Sequence, residues 1–226
     1  MMALESVEEA IGAVLSSLRA NGFEFLEGEI NWREYQTTSY AIHHGFDVPA
    51  TSITPQMRRA LFAIGNLWPD PSILGLGTHA GYAVAWLWAG ARARHGHARL
   101  CGYDTDRGAV SLATKNFRQV FGVENSTRFV LHDACVPSVI EPVGVVYLDI
   151  ESPEGRKWGY MKALDAQLTS LTRPGLLVAH DPLVPKFAEE MASFKRHAVT
   201  SGFCEPVILP IDSCGVLLAH FPEPTQ

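Results

Sequence analysis

Basic charge is scarce in this chain: 18 lysines and arginines stand against 24 aspartates and glutamates, for a formal charge of −6. A surface that grips nucleic acid or an anionic membrane needs a basic face to displace counterions, so neither partner is expected. The densest basic run, RARHGHAR at 92–99, is short and reads as the solvated end of a helix. Cysteine is scarce too. Cys101, Cys135, Cys204 and Cys214 are scattered with no C-x-x-C pair, which is the usage of free thiols in a reducing cytosol. No uninterrupted apolar stretch reaches membrane-spanning length. The opening MMALESVEEA is acidic, whereas a secretory signal is basic and then apolar. A cytoplasmic location is the expectation. Repeats and low-complexity tracts are absent as well.

What is present is an ordinary globular composition, 226 residues with 47% hydrophobic and 19% charged side chains, enough to bury one sizeable core. Ser6 with Glu9 forms a capping-box pattern, and Val7, Ile11, Val14, Leu15 and Leu18 share a face, so 6–20 is expected to be a helix. The stretch 31–52 has no clean period and reads as a loop or partly helical lid. Its Trp32, Tyr35, Tyr40, His43 and His44 either line an aromatic pocket or, the favoured reading, pack the N-terminal segments onto the rest. Thr54 and Pro55 open a second helix with Met57, Leu61, Ile64 and Leu67 inward.

From there strands and helices alternate. Strands are expected near 72–76, 99–104, 127–134, 143–150 and 175–181, with helices near 80–95, 107–121, 156–172 and 186–202. Arg173-Pro174-Gly175 reads as the stop of the 156–172 helix. EPVILPID and GVLLAHF close the chain as an antiparallel hairpin. The pattern is that of an α/β fold: a doubly wound, Rossmann-like parallel sheet with an antiparallel C-terminal hairpin and a helical N-terminal extension. Residues 1–50 are expected to form that extension or lid, and 51–226 the ligand-binding domain.

Ligands of such sheets lie at the carboxyl ends of the strands. The first strand ends in ILGLGTHAGY, 73–82, with Gly75, Gly77 and Gly81. No Lys-Ser/Thr follows Gly81, and the last gap is one residue too long for G-x-G-x-x-G, so a pyrophosphate loop is disfavoured. The next strand ends in YDTD, where Asp104 is placed to accept two hydrogen bonds from a ribose diol; Asp106 suits a helix cap better. Asp133, in LHDA, is a polar group at the same edge, with an adenine amino group as its expected partner.

Taken in order, GLGTHAGYA, YDTD, LHDA, VVYLDIE, RPGLLVAHD and the ILPIDSCGVLLA tail resemble the class I S-adenosylmethionine-dependent methyltransferases, closest to the small catechol and caffeoyl-coenzyme A type O-methyltransferases. The resemblance spans roughly residues 50–220. It implies S-adenosyl-L-methionine as cofactor and a small-molecule acceptor. It implies cofactor contacts from Gly75, Gly77, Thr78, Gly81 and Tyr82, from Asp104 and Thr105, from Asp133 and Ala134, and from Asp149. The segment TSITPQ, 51–56, is expected over the methionine end. Family members pair through the sheet edge and N-terminal helices, so a homodimer is also implied.

Departures from the family are specific. Gly75 stands where an acidic residue is usual. Asp149 and Asp181 match two metal-binding aspartates, but Pro182 replaces the asparagine that completes the set, so a divalent cation such as Mg2+ is disfavoured and no metal ligand is assigned. The family's lysine base falls at Ser152 unless the loop ESPEGRKWGY carries an insertion that delivers Lys157. The catalytic candidates are Asp149, His180 and Asp181. A side chain added at Gly77 is expected to block the ligand and spare the fold. Two other readings keep the fold: cleavage or cyclisation of the cofactor without an acceptor, and an inactive binding module.

Overall fold

Amphipathic runs fold as helices and apolar runs as strands in the order α1 (Met2–Ala20), α2 (Trp32–Gly45), α3 (Pro55–Leu67), β1 (Ser72–Leu76), α4 (Tyr82–His95), β2 (Arg99–Asp104), α5 (Arg107–Phe121), β3 (Thr127–Leu131), β4 (Val143–Leu148), α6 (Gly159–Gln167), β5 (Leu171–His180), α7 (Ala188–Thr200), β6 (Val207–Leu209) and β7 (Val216–Phe221). This is a computed structural model that describes residues 2–48, 53–122, 126–138, 140–152, 154 and 156–223, with the backbone alone at 2–6.

The strands form one seven-stranded sheet in the order β3-β2-β1-β4-β5-β7-β6. β1 to β5 run parallel, and β7 pairs antiparallel with both β5 and β6. The order reverses direction at the β1/β4 junction, so a crevice opens there at the carboxyl ends of the strands. Successive side chains leave to opposite faces. Ile73, Val145 and Tyr147 join one core with α3 and α4, while Leu74, Val146 and Leu148 join another with α6 and α7. A central strand covered on both faces has no solvent-facing positions, which is why VGVVYL is unbroken.

Three expectations are corrected. The first helix begins at Met2, ahead of Ser6, so Ser6 is not its cap. The stretch expected to be a loop or partly helical lid is helical over Trp32–Gly45, which corrects the loop reading. Asn31 caps α2 by accepting from the Glu34 N–H, and Tyr35, Thr38 and Ile42 make its buried stripe. The period was hidden because one member is a threonine and another a tyrosine. Finally, α6 stops at Gln167, and Arg173-Pro174-Gly175 lies within β5. The proline is tolerated because the β4 ladder is interrupted there: Val143 pairs with Leu171, and Val145 next pairs with Leu176.

The helical N-terminal segment packs on the α3/α4 face. Tyr35 lies 5.4 Å from both the Phe62 and Trp86 rings, and Trp32 stacks on Phe62 at 6.3 Å. Tyr40, at 70% exposure, and the exposed His43 and His44 point away. The favoured packing role therefore describes Trp32 and Tyr35.

Candidate active site at the carboxyl edge of the sheet

The glycine loop is set first by protein packing. Gly77 has φ +78°, and a Cβ there would meet the Asp149 carbonyl oxygen at 2.2 Å. That corrects the expectation for Gly77: a side chain strikes β4's own end, so it disturbs the fold before it obstructs a ligand. A Cβ on Gly75 would meet Thr78 Cγ2 at 2.7 Å and Val84 Cγ1 at 2.8 Å. The Gly77 and Thr78 N–H groups both donate to the Tyr103 carbonyl, which ties the loop to β2. Gly81, at φ +76°, precedes α4.

A cavity of about 830 Å3 opens beside this loop, within the usual range for small-molecule sites. Its walls include Gly77, Asp104, Thr105, Asp133, Ala134 and Asp149, so six of the residues read from the sequence meet in one space. Gly75, Thr78, Gly81 and Tyr82 lie outside its lining. Tyr82 turns its ring to Trp86 and under Arg58, and Thr78 is buried. Residues 51 and 52 of TSITPQ lie outside the described residues. The walls also hold His79, Tyr103, His132, Ile150, Glu151, Trp158 and Lys162. His79, Tyr103, His132 and Ile150 were marked in the sequence only by adjoining a strand end, Glu151 also as a carboxylate that could stand in for the asparagine missing at Pro182, and Trp158 and Lys162 by nothing.

Asp104 is half-buried and already partly used. Its Oδ2 accepts from the His79 N–H at 2.8 Å and its Oδ1 from the Asp106 N–H at 2.9 Å. A carboxylate has about four lone-pair sites, so each oxygen keeps one for a ligand hydroxyl. Asp106 caps α5 through the Gly108 and Ala109 N–H groups. Asp133 Oδ1 accepts from the Cys135 N–H at 2.9 Å, and the residue lines the cavity.

Deeper in, four charged groups close on one another. Lys157 Nζ lies 2.8 Å from Asp149 Oδ1 and 3.0 Å from Asp181 Oδ2. His180 Nδ1 lies 3.4 Å from Asp149 Oδ2 and 3.1 Å from Asp181 Oδ1. Lys157, only 2% exposed, arrives because the loop folds back: Ser152 N–H donates to the Arg156 carbonyl, and Arg156 pairs with the buried Glu190 of α7. Asp181 adopts φ +67°, a region costly for a non-glycine residue, to aim its carboxylate inward.

The electrostatics follow from this closure. For His180, burial works against the charge, but hydrogen bonds and attraction from Asp149 and Asp181 win and push its pKa up to about 10. For Asp181 and Asp149, burial works against ionisation, but His180 and Lys157 outweigh it and hold both carboxyls below the ordinary range. Burial also opposes the Lys157 charge, and the two aspartates override it, raising its pKa. Both cations hold their protons at neutral pH. Of the four groups, Asp149 alone lines the cavity.

Among the described residues, the grouping of His, Cys, Asp or Glu whose ligand atoms lie within 4.8 Å of one another is His180, Asp181 and Cys214, without Asp149. Mg2+ wants oxygen ligands in near-octahedral order, and Pro182 offers none. The residues present do not fit that ion.

No protein-family model matches the chain. It is 27% identical over 143 residues to a catechol O-methyltransferase of Niastella koreensis, covering 61% of this chain and 60% of that one. The chain thus aligns with less than two thirds of that relative's length. Among solved structures, the O-methyltransferase from Bacillus cereus in complex with SAH superposes with a TM-score of 0.61 at 14% identity, covering 96% of this chain and 97% of that one. A methyltransferase from Geobacter sulfurreducens superposes with a TM-score of 0.58 at 18% identity over 95% and 96%. The chain has the fold of the S-adenosylmethionine-dependent O-methyltransferases.

Proposed function

We propose that the protein transfers a methyl group from S-adenosylmethionine to an oxygen of a small-molecule acceptor. The observation that carries this reading is the cavity at the sheet's switch point, with Asp104 and Asp133 on adjacent strand ends and Asp149 across from them. In this reading Asp104 takes the ribose hydroxyls with its remaining lone pairs. Asp133 and the buried Ala134 border the adenine, and Gly77 and Thr105 complete the wall. When bound, the cofactor supplies an already activated methyl on a cationic sulfur, so the protein has mainly to align it with the acceptor and exclude water. Residues 51–226 form the unit that does this, with 1–50 as its helical extension.

Asp149 is the group that meets the acceptor. Held as a carboxylate by Lys157 and His180, it orients an acceptor hydroxyl by accepting its hydrogen bond. It is a weak base, and the neighbouring His180 and Lys157 are already protonated. The acceptor's proton must therefore pass to solvent water, which a phenol is acidic enough to allow and an aliphatic alcohol is not. Asp149 is already paired with Lys157, and Asp104, Asp133, Glu151 and Glu154 line the cavity against Lys162, a balance that favours a neutral or cationic acceptor over a polyanion such as an acyl-coenzyme A.

A radiolabelled methyl-transfer assay with catechol, an aliphatic diol and an acyl-coenzyme A thioester tests the reading. Label is expected in the catechol. Consumption of S-adenosylmethionine with no acceptor added would replace transfer by cleavage. A cytoplasmic setting belongs to the same proposal, supported by four free cysteines. So does pairing of two copies through the N-terminal helices, supported by the exposed Val14 of α1 and Tyr40 of α2 and measurable by light scattering.

A further inference from the structure

Four carboxylate oxygens and two nitrogens form a closed circuit at the ends of β4 and β5. Lys157 Nζ bridges one oxygen of Asp149 and one of Asp181, and His180 Nδ1 bridges the other two. Each oxygen that would ligate a metal already faces a cationic donor. We propose that the buried Lys157 ammonium is a built-in replacement for a divalent cation between Asp149 and Asp181. This deepens the transferase reading above and rests on it only for the identity of the reaction.

Three features support the replacement. An ammonium has three donors and no acceptor, and two of them are spent on the two aspartates. Its flanks face the Tyr160 and Phe187 rings, 5.1 and 5.3 Å from their centroids, so aromatic faces surround the charge on the sides the carboxylates leave free. The circuit is also full. Both carboxylates already share the Lys157 ammonium and the His180 ring, so a dication placed between them would have to displace Lys157 or face its charge at close range. The soft donor Cys214 near His180 and Asp181 does not change this, because neither Asp149 nor an added oxygen joins it. Lys157 lies behind Asp149, out of the cavity lining. It is a positioning residue: it fixes the charge and direction of the carboxylate that the acceptor meets.

The test uses the full chain and Mn2+, with the electron paramagnetic resonance signal of free Mn2+ reporting how much is bound. Wild type is expected to leave that signal undiminished, and EDTA is expected to leave its Tm unchanged. Lys157→Met, which keeps the unbranched stem but ends one atom short and loses the charge, is expected to take up Mn2+ and to gain Tm when Mn2+ is added. Stoichiometric binding by wild type that disappears in Asp181→Asn would overturn the proposal, as would a Lys157→Met protein of parental stability that ignores Mn2+. Should Lys157→Met not fold, the wild-type titration decides alone. Calorimetry with S-adenosylhomocysteine on the same EDTA-treated sample separates the two ideas. Loss of cofactor binding in a metal-silent protein sinks the transferase reading and leaves the lysine in place; cofactor binding by a protein that holds Mn2+ does the reverse.

Discussion

Gly77 holds φ +78° with its Cα hydrogen against the Asp149 carbonyl, and His180 sits between two aspartates with its Nδ1 shared. Both positions have measurable consequences. Gly77→Ala adds a methyl group to a backbone that L-residues enter at a cost of about 1–3 kcal/mol, before the clash with Asp149 is counted. A urea midpoint unchanged by that substitution would contradict the loop conformation. His180 has a folded pKa of about 10 against an ordinary 6.5. Its contribution to stability is complete below pH 6.5 and drains away as the pH climbs toward 10. The aspartates run the other way: held low in the fold, they stabilise above their ordinary range and lose that on acidification. Thermal melts across the alkaline range are expected to fall more steeply for wild type than for His180→Gln. Parallel curves would remove the imidazolium from the circuit.

At the scale of elements, α2 is a packing helix whose Tyr35 closes against Phe62 and Trp86. Tyr35→Ala is expected to cost about 3–5 kcal/mol of stability, as aromatic truncations in cores do. The affinity for S-adenosylhomocysteine is expected to stay unchanged, whereas a lid residue would lose affinity and keep stability. The α3/α4 crossing is equally tight. A Cβ on Gly90 would meet the Phe62 carbonyl oxygen at 2.0 Å, so Gly90→Ala is expected to lower the melting temperature through overpacking worth about 1–3 kcal/mol. Strand and helix alternation was legible in the sequence because central strands covered on both faces leave no polar interruptions. The α2 stripe was not, since Thr38 and Tyr35 do not register as apolar, and Pro174 read as a stop because a bulged ladder has no signature in one strand alone. Lys157 was legible only conditionally. It lies eight positions after Asp149, and what delivers it is a loop closed by Ser152 and Arg156 and anchored on Glu190, a residue in a different helix.

For the whole molecule, the sheet brings Asp104, Asp133 and Asp149 from three strands to one cavity, a convergence the sequence marked by position while leaving the loop's packing demands hidden. Gly75, Gly77 and Gly81 read as room for a ligand, and the space beside them is filled by Val84, the Asp149 carbonyl and Phe117. What remains for the ligand is the Asp104 side of the crevice. Isothermal titration of S-adenosylhomocysteine into wild type and Asp104→Ala tests that directly. Saturable binding by wild type, weakened in the variant by about 1.5–3 kcal/mol, or roughly 10- to 150-fold in Kd, is the predicted result. Equal affinities in two folded proteins, or no heat of binding in wild type, would contradict it.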